Sequence, residues 1–279
     1  MSYKTILVHL DKAMFANNHI SLAAEIALAN EAHLIGAAIV GVSTLKFHEA
    51  RIDEKDPDLA SHLEFLVERA RHFVDDFESA MKKACLPSYE GRVVDGESDY
   101  AISIQARYCD LVIISQAASD KTHHVVLPDF SEFVVVHAGS PVLILPCNSQ
   151  LNGIGKKVLI AWNGSDKATR AVSDAIPMLK RAEIVQIAII NIDPKSELLG
   201  ENAGAEIALY LARHGVNVEV LPPRHASNVG MTLLSMTNEF SSDLLVMGGY
   251  GHSHLREIVL GSVTNTVLKK TNIPVLMSH

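Results

Sequence analysis

Residues 243–277 read DLLVMGGYGHSHLREIVLGSVTNTVLKKTNIPVLM, and residues 110–115 read DLVIIS, an earlier echo of its opening. Residues 141–144, PVLI, echo residues 274–277, PVLM, at the same offset of 133 residues. The whole stretch between the two matches therefore aligns without a gap. Further upstream, ILVHLD at 6–11 corresponds to VLIAWN at 158–163, now at an offset of 152 residues. Self-similarity over this span predicts two copies of one unit. The offset is 19 residues larger at the start, which predicts an insertion in the first copy, placed near 41–60 in the charged stretch containing FHEARIDEKDPD.

Each copy alternates short apolar runs with helical spacing. In the first, ILVHL, HLIGAAIVG, YEGRVV, DLVIIS and PVLILP read as strands. Helices are expected over HISLAAEIALANEA, 57–85, 98–107 and 130–138. In the second, VLIAW, IVQIAIINI, VNVEVLP, DLLVMGG and PVLM read as strands, with helices near 166–181, 201–214, 228–240 and from 261. The strands are continuously apolar rather than alternating, as in a sheet covered on both faces. Strand–helix alternation requires right-handed crossovers and a parallel sheet. The expected fold is α/β: two tandem doubly wound five-stranded parallel-sheet domains, 1–147 and 155–279, joined by the polar, glycine-containing CNSQLNGIGKK. Such sheets bind ligands beyond the carboxyl ends of their strands, where the strand order reverses.

Composition narrows the function. The formal net charge is −8 and only six Tyr, eight Phe and one Trp occur, which argues against a basic or base-stacking nucleic-acid binder. Three scattered cysteines fit a reducing compartment better than a disulfide framework. The opening MSYKTILVHLD lacks the apolar region of a signal peptide, and no apolar stretch reaches the roughly 20 residues of a membrane span. These features predict a cytoplasmic protein with no membrane partner.

The chemistry concentrates after the fourth strand of the second copy. Gly248, Gly251 and Gly261-Ser262 form a skeleton with two and then nine residues between them. Glycines at a strand end permit close backbone approach and can turn amides toward an anion. Gly261-Ser262-Val263-Thr264 opens a helix whose free N–H groups favour phosphate, and Ser262 and Thr264 add hydroxyl donors. The alternative is that the same glycines only turn the chain and cap the helix. At the equivalent register the first copy has Ser115, Ala118 and Pro128-Asp129, so the skeleton is absent there. Asp129 would repel a phosphate and suits a helix cap instead. Adjacent histidines at 123–124 and the pair His252 and His254 lack the Cys or carboxylate companions of a metal site. Neither a Walker A loop nor a nucleophile elbow occurs.

Down to VMG, LGSVT and PVL, the segment resembles the glycine signature of the ATP-binding branch of the universal stress protein family, and the chain resembles its tandem type. The resemblance implies a stress-response protein whose second domain binds ATP or another adenine nucleotide, with or without Mg2+, as a regulatory ligand. Turnover would be weak ATPase activity at most; a ligand-free scaffold is the alternative. Carried over by position, it places Ala161, Trp162 and Asn163 at the end of the first strand, where the family has an acidic residue near the base and ribose. Ile192 takes the apolar position against adenine, and Met247, Gly248, Gly251, Gly261, Ser262 and Val263 match the remainder. Gly249, His252 and Ser253 share the loop, and Arg256 more readily covers the helix than reaches phosphate. Asp11 keeps the acidic position in the first copy. Because single-domain relatives dimerise through the fifth strand, the resemblance also implies an intramolecular pseudo-dimer of the two copies, and leaves a homodimer of the whole chain open.

Overall fold

An aspartate immediately precedes the fourth strand of both copies, and its carboxylate fixes the chain entering the first strand beside it. Asp110 accepts from the backbone N–H of Lys4 and Thr5 at 2.6 and 3.0 Å. Asp243 accepts from those of Gly155, Lys156 and Lys157 at 2.9, 3.0 and 3.1 Å. The computed structural model describes residues 2–16, 18–41, 57–116, 130–147, 151, 153–191, 204–249 and 262–279. They fall into two compact units, Tyr3–Ser140 and Pro141–His279, the first two residues being grouped with the latter.

In the first unit the continuously apolar runs become β1 (Thr5–His9), β2 (His33–Ile39), β3 (Tyr89–Val94) and β4 (Leu111–Ser115). They are parallel in the order β3-β2-β1-β4, with Leu7 beside Ile35 and Val112. Ile6, Leu7, Val8 and Leu111–Ile114 have no exposed surface. Helices cover both faces of such strands, so alternation would leave polar groups buried. The helices are α1 (Lys12–Ala16), α2 (His19–Asn30), α3 (Pro57–Lys83), α4 (Ser98–Ala106) and α5 (Phe130–His137). The short α1 was not visible as a separate element in the sequence; Asp11 starts it by accepting from Met14 N–H at 2.7 Å. On α3, Leu66, Ala70, Phe77 and Met81 form a buried stripe with helical spacing. Phe77 lies over β2 at Gly36, where a Cβ would come within 2.8 Å of the ring.

The second unit adds β6 (Lys157–Trp162), β7 (Ile184–Ile189), β8 (Val218–Val220), β9 (Leu244–Gly248) and β10 (Val275–Ser278), with α6 (Asp166–Leu179), α7 (Ala205–Arg213), α8 (Val229–Glu239) and α9 (Ser262–Lys270). Its remaining strand, β5 (Val142–Leu145), comes from the end of the first sequence copy. The sheet order is β5-β10-β9-β6-β7-β8. Every pairing is parallel except β5 with β10, which run antiparallel with Leu143 opposite Leu276. Order reverses between β6 and β9, so their carboxyl ends form the unit's switch point. Local sequence explains the helix starts nearby. Ser165 caps α6 by accepting from Ala168 N–H at 3.2 Å, and Asn228 caps α8 by accepting from Met231 N–H at 3.0 Å.

The fold is thus α/β, as expected; its strands are parallel except at β5–β10, and the central ones are buried on both faces while β3 and β8 keep exposed positions. The insertion near 41–60 falls largely outside the described residues.

Candidate functional site

Three strand ends meet at the switch point of the second unit. Ala161 on β6 pairs with Met247 on β9, which pairs in turn with Met277 on β10. Met247 and Met277 are buried, while Ala161 and Trp162 are partly exposed. Trp162 pairs with Ile189 on β7. Its indole N–H is buried and finds no acceptor among the described residues. A buried donor left unpaired is a cost to the folded chain of about 1–3 kcal/mol.

Asn163 follows, but its side chain is turned onto the local chain: its Oδ1 accepts from Ser165 N–H at 3.1 Å and from Ser165 Oγ at 2.7 Å. Gly164, between them, has φ +71°, a value that suits glycine. Asn163 therefore serves the entry to α6 in this structure.

Gly248 has a packing reason for being glycine. A Cβ there would lie 2.7 Å from the Ala168 nitrogen and 2.7 Å from the Lys167 carbonyl carbon, so the first turn of α6 rests on the end of β9. Gly249 donates its N–H to Ser278 O at 2.8 Å. Its amide thus continues the sheet rather than turning toward an anion. On the other side, Gly230 of α8 lets α9 approach closely: a Cβ at Gly230 would be 2.8 Å from Thr266 Cβ and 3.1 Å from Val263 O. This contact sets the first turn of α9, where Val263 is partly exposed and Thr264 is buried. Ser262 is the first residue of that helix. Ile192, Gly251, His252, Ser253 and Gly261 lie outside the described residues, as do Arg256, His123, His124 and His254. Asn191, just before Ile192, has φ +56° and exchanges hydrogen bonds with Ala226 at 2.7 and 2.8 Å.

Two residues missed in the sequence complete this corner. Lys167 Nζ lies 2.6 Å from Nδ1 and 2.7 Å from Nε2 of His279. His279 Nδ1 is also 3.2 Å from Gly249 O. Burial lowers the Lys167 pKa from its ordinary value. Nearby, Ser278 Oγ donates to Asp174 Oδ2 at 2.8 Å; burial raises the Asp174 pKa, opposed by that hydrogen bond and by Arg170. Lys167 and His279 are 112 residues apart. The only sequence signal was a basic residue in the first turn of a helix that starts beside the site.

The corresponding corner of the first unit is filled by its own side chains. Ser115, at the register of Gly248, donates to Asp11 Oδ1 at 3.1 Å. His9 is buried, its Nδ1 is 3.8 Å from Asp11 Oδ2 without a hydrogen bond, and its ring stands 5.0 Å from that of Phe130. Burial lowers the His9 pKa, with Asp11 pulling the other way. Phe130 is itself 1% exposed, at the register of Val263. Ala118, Pro128 and Asp129 lie outside the described residues. Among the described residues, no group of three or more His, Cys, Asp or Glu side chains is placed to hold a metal ion, and no helix is long and apolar enough to cross a membrane.

Comparison with known proteins agrees with this geometry. Residues 155–279 match the family model described as the universal stress protein family. A universal stress protein of Synechocystis sp. is 32% identical over 149 residues, covering 52% of this chain and 49% of that relative, so the match spans about half of the relative's length. One from Methanocaldococcus jannaschii is 28% identical over 137 residues, covering 44% of this chain and 81% of the relative. The crystal structure of a universal stress protein from Archaeoglobus fulgidus superposes with a TM-score of 0.74 at 16% identity, covering 98% of this chain and 97% of the other, a likeness of fold. The second half of the chain thus matches the universal stress protein family, and the chain as a whole shares the fold of one of that family's solved structures.

Proposed function

We propose that the second unit binds an adenine nucleotide at the ends of β6 and β9, as a regulatory ligand in a stress-response protein. The observation that carries this reading is Trp162: a buried indole N–H without an acceptor, at the end of the strand where the base and ribose are expected. A nucleotide would supply the acceptor. Ala161 and Met247 offer the apolar surface beside it, and Asn163 retains an amide N–H for the ribose. The start of α9, set by Gly230, presents helix N–H groups to phosphate. Gly251, Gly261, Ser262 and Thr264 contribute through the sequence signature they share with ATP-binding members. Magnesium enters only as the companion of the phosphates.

Among the described residues, the first unit places its own side chains at the same register. Ser115 donates to Asp11 there and Phe130 packs against His9, whose Nδ1 has no hydrogen-bond partner among the described residues; the missing glycine skeleton at this register supports a single nucleotide per chain. The antiparallel β5–β10 pairing supports the further reading that the two copies form an intramolecular pseudo-dimer.

The test begins with freshly purified protein, denatured, with any released small molecule identified by liquid chromatography and mass spectrometry. About one adenine nucleotide per chain is expected, and none from the Gly251→Val or Gly261→Val variants. No release, together with no binding on addition of ATP and magnesium, refutes the reading and favours a ligand-free scaffold. Metal-dependent turnover abolished by a single acid or base substitution would make the protein an enzyme instead.

A further inference from the structure

β3 is the outermost strand of the first unit, and among the described residues no strand pairs with its outer side. The register with β2 fixes the direction of its backbone groups. Leu34 N–H donates to Ser88 O at 3.1 Å, and Val40 N–H donates to Val94 O at 3.0 Å. Bonding direction alternates along a strand, so Glu90, Arg92 and Val94 bond toward β2. Tyr89, Gly91 and Val93 therefore turn their N–H and C=O groups outward. Such a row is a template for another strand. It is open to solvent: Arg92 is exposed, and Val93 is an apolar side chain 41% exposed. Pro87, next in the outward row, has no N–H to donate and ends the template.

The side chains between the outward groups carry opposite charges. Glu90 and Arg92 lie on the face toward α4, where Arg92 donates to Gln105 Oε1 at 3.1 Å and pairs with Glu90. Glu90 Oε1 is also 3.6 Å from His33 Nε2. A second β3 can be laid alongside antiparallel, with Gly91 on the two-fold axis. Gly91 then exchanges hydrogen bonds with its own copy, and Tyr89 with the copy's Val93. Glu90 faces the copy's Arg92, and Arg92 the copy's Glu90, at the non-hydrogen-bonded positions where side chains come closest. Opposite charges directly across a pair stabilise it, and like charges destabilise it.

The outer strand of the second unit has neither property. β8 spans three residues against six in β3. Val185 N–H donates to Asn217 O and Leu221 N–H to Ile187 O, so Val218 and Val220 are the outward positions. The same two-fold pairing of β8 would set Glu219 against Glu219.

We propose that β3 is a homodimerisation edge: two copies of this chain join their first units antiparallel about Gly91, with the register set by reciprocal Glu90–Arg92 pairs. The contact is a single strand pair, so the association is weak and concentration-dependent.

The test is analytical ultracentrifugation of the full chain from low micromolar to submillimolar concentration. A reversible monomer–dimer equilibrium is expected. Glu90→Arg and Arg92→Glu each place like charges across both pairs and should raise the dimer dissociation constant at least about tenfold. Combining the two substitutions in one chain should restore the dimer. Mixing the two single variants should also restore it, as a heterodimer, which guards against a folding defect in either. Val93→Pro removes an outward N–H while sparing the ladder to β2, and should weaken the dimer with an unchanged circular dichroism spectrum. By hydrogen exchange, the amides of Tyr89, Gly91 and Val93 should slow as concentration rises, while those of Glu90 and Arg92 stay alike. A chain that is monomeric at every concentration overturns the proposal. So does a dimer that survives both charge reversals, one that neither rescue restores, or one in which the outward amides gain no protection.

Discussion

Replacing Gly248 by alanine adds one methyl group where the structure has no room for it. The new Cβ would stand 2.7 Å from both the Ala168 nitrogen and the Lys167 carbonyl carbon, while ordinary contact begins at 3.4 Å. Either neighbour must retreat by about 0.7 Å, and both are backbone atoms of the first turn of α6, which cannot swing aside as a side chain can. That turn is fastened by the Ser165 cap and by Ala168, which is 2% exposed. Overpacking against so fixed a wall costs about 1–3 kcal/mol. We expect Gly248→Ala to lose about 2 kcal/mol in urea denaturation of the nucleotide-free protein, which in a domain of this size corresponds to a melting temperature lower by roughly 4–8 °C. The nucleotide-free state is the informative one. If Gly248 is glycine only so that phosphate can approach, the variant will be as stable as the parent without ligand and differ only in binding. An unchanged urea midpoint in the absence of nucleotide would refute the packing argument.

Two other expectations follow from the geometry. The folded-state pKa of His9 lies below its ordinary value, so the unfolded chain takes up a proton there that the folded chain resists. His9 therefore costs no stability above about pH 6.5, and stability should fall as pH drops below that value toward the lowered folded pKa. His9→Leu should flatten this part of the profile, and a urea-midpoint decline from pH 7.5 to 5.5 identical to that of the parent would count against burial of an uncharged ring. Asp243→Ala removes the acceptor of three backbone N–H groups and should cost about 2 kcal/mol, whereas Asp110→Ala, at an exposed position with two, should cost about 1 kcal/mol. Equal midpoints for the two variants would show that their amides find water as readily at one site as at the other.

The strands were legible because burial on both faces leaves an unmistakable mark: DLVIIS and DLLVMG contain no polar residue between their aspartate and their last position. Repetition made the alignment of the two copies visible, including the loss of the glycine skeleton at Ser115. Roles of individual residues were less visible. The sequence places Gly248 in the glycine skeleton and Gly249 in the same loop; in the structure Gly248 also admits a helix turn and Gly249 continues the sheet. Both demands select small residues at a strand end, and composition cannot separate them. The contact of Lys167 with His279 joins positions 112 residues apart; no local pattern encodes such a meeting, because it depends on how far α6 leans on β9. The orphaned indole of Trp162 was equally hidden, since an unpaired donor is defined by what does not surround it.

The antiparallel seam between β5 and β10 bears on where this polypeptide can be divided. The family model begins at residue 155, yet the strand covering the flank of Val275–Met277 is Val142–Leu145, thirteen residues earlier at its start than the model's first position and wholly outside it. A polypeptide cut at the family boundary would bare a row of unsatisfied N–H and C=O groups on a flat strand whose side chains are otherwise sealed from water. The natural remedy for such a rim is a second copy of itself, joined β10 to β10. A cut before Pro141 keeps the rim clothed. The stretch that matches the family and the stretch that keeps β10 paired on both sides thus start at different residues.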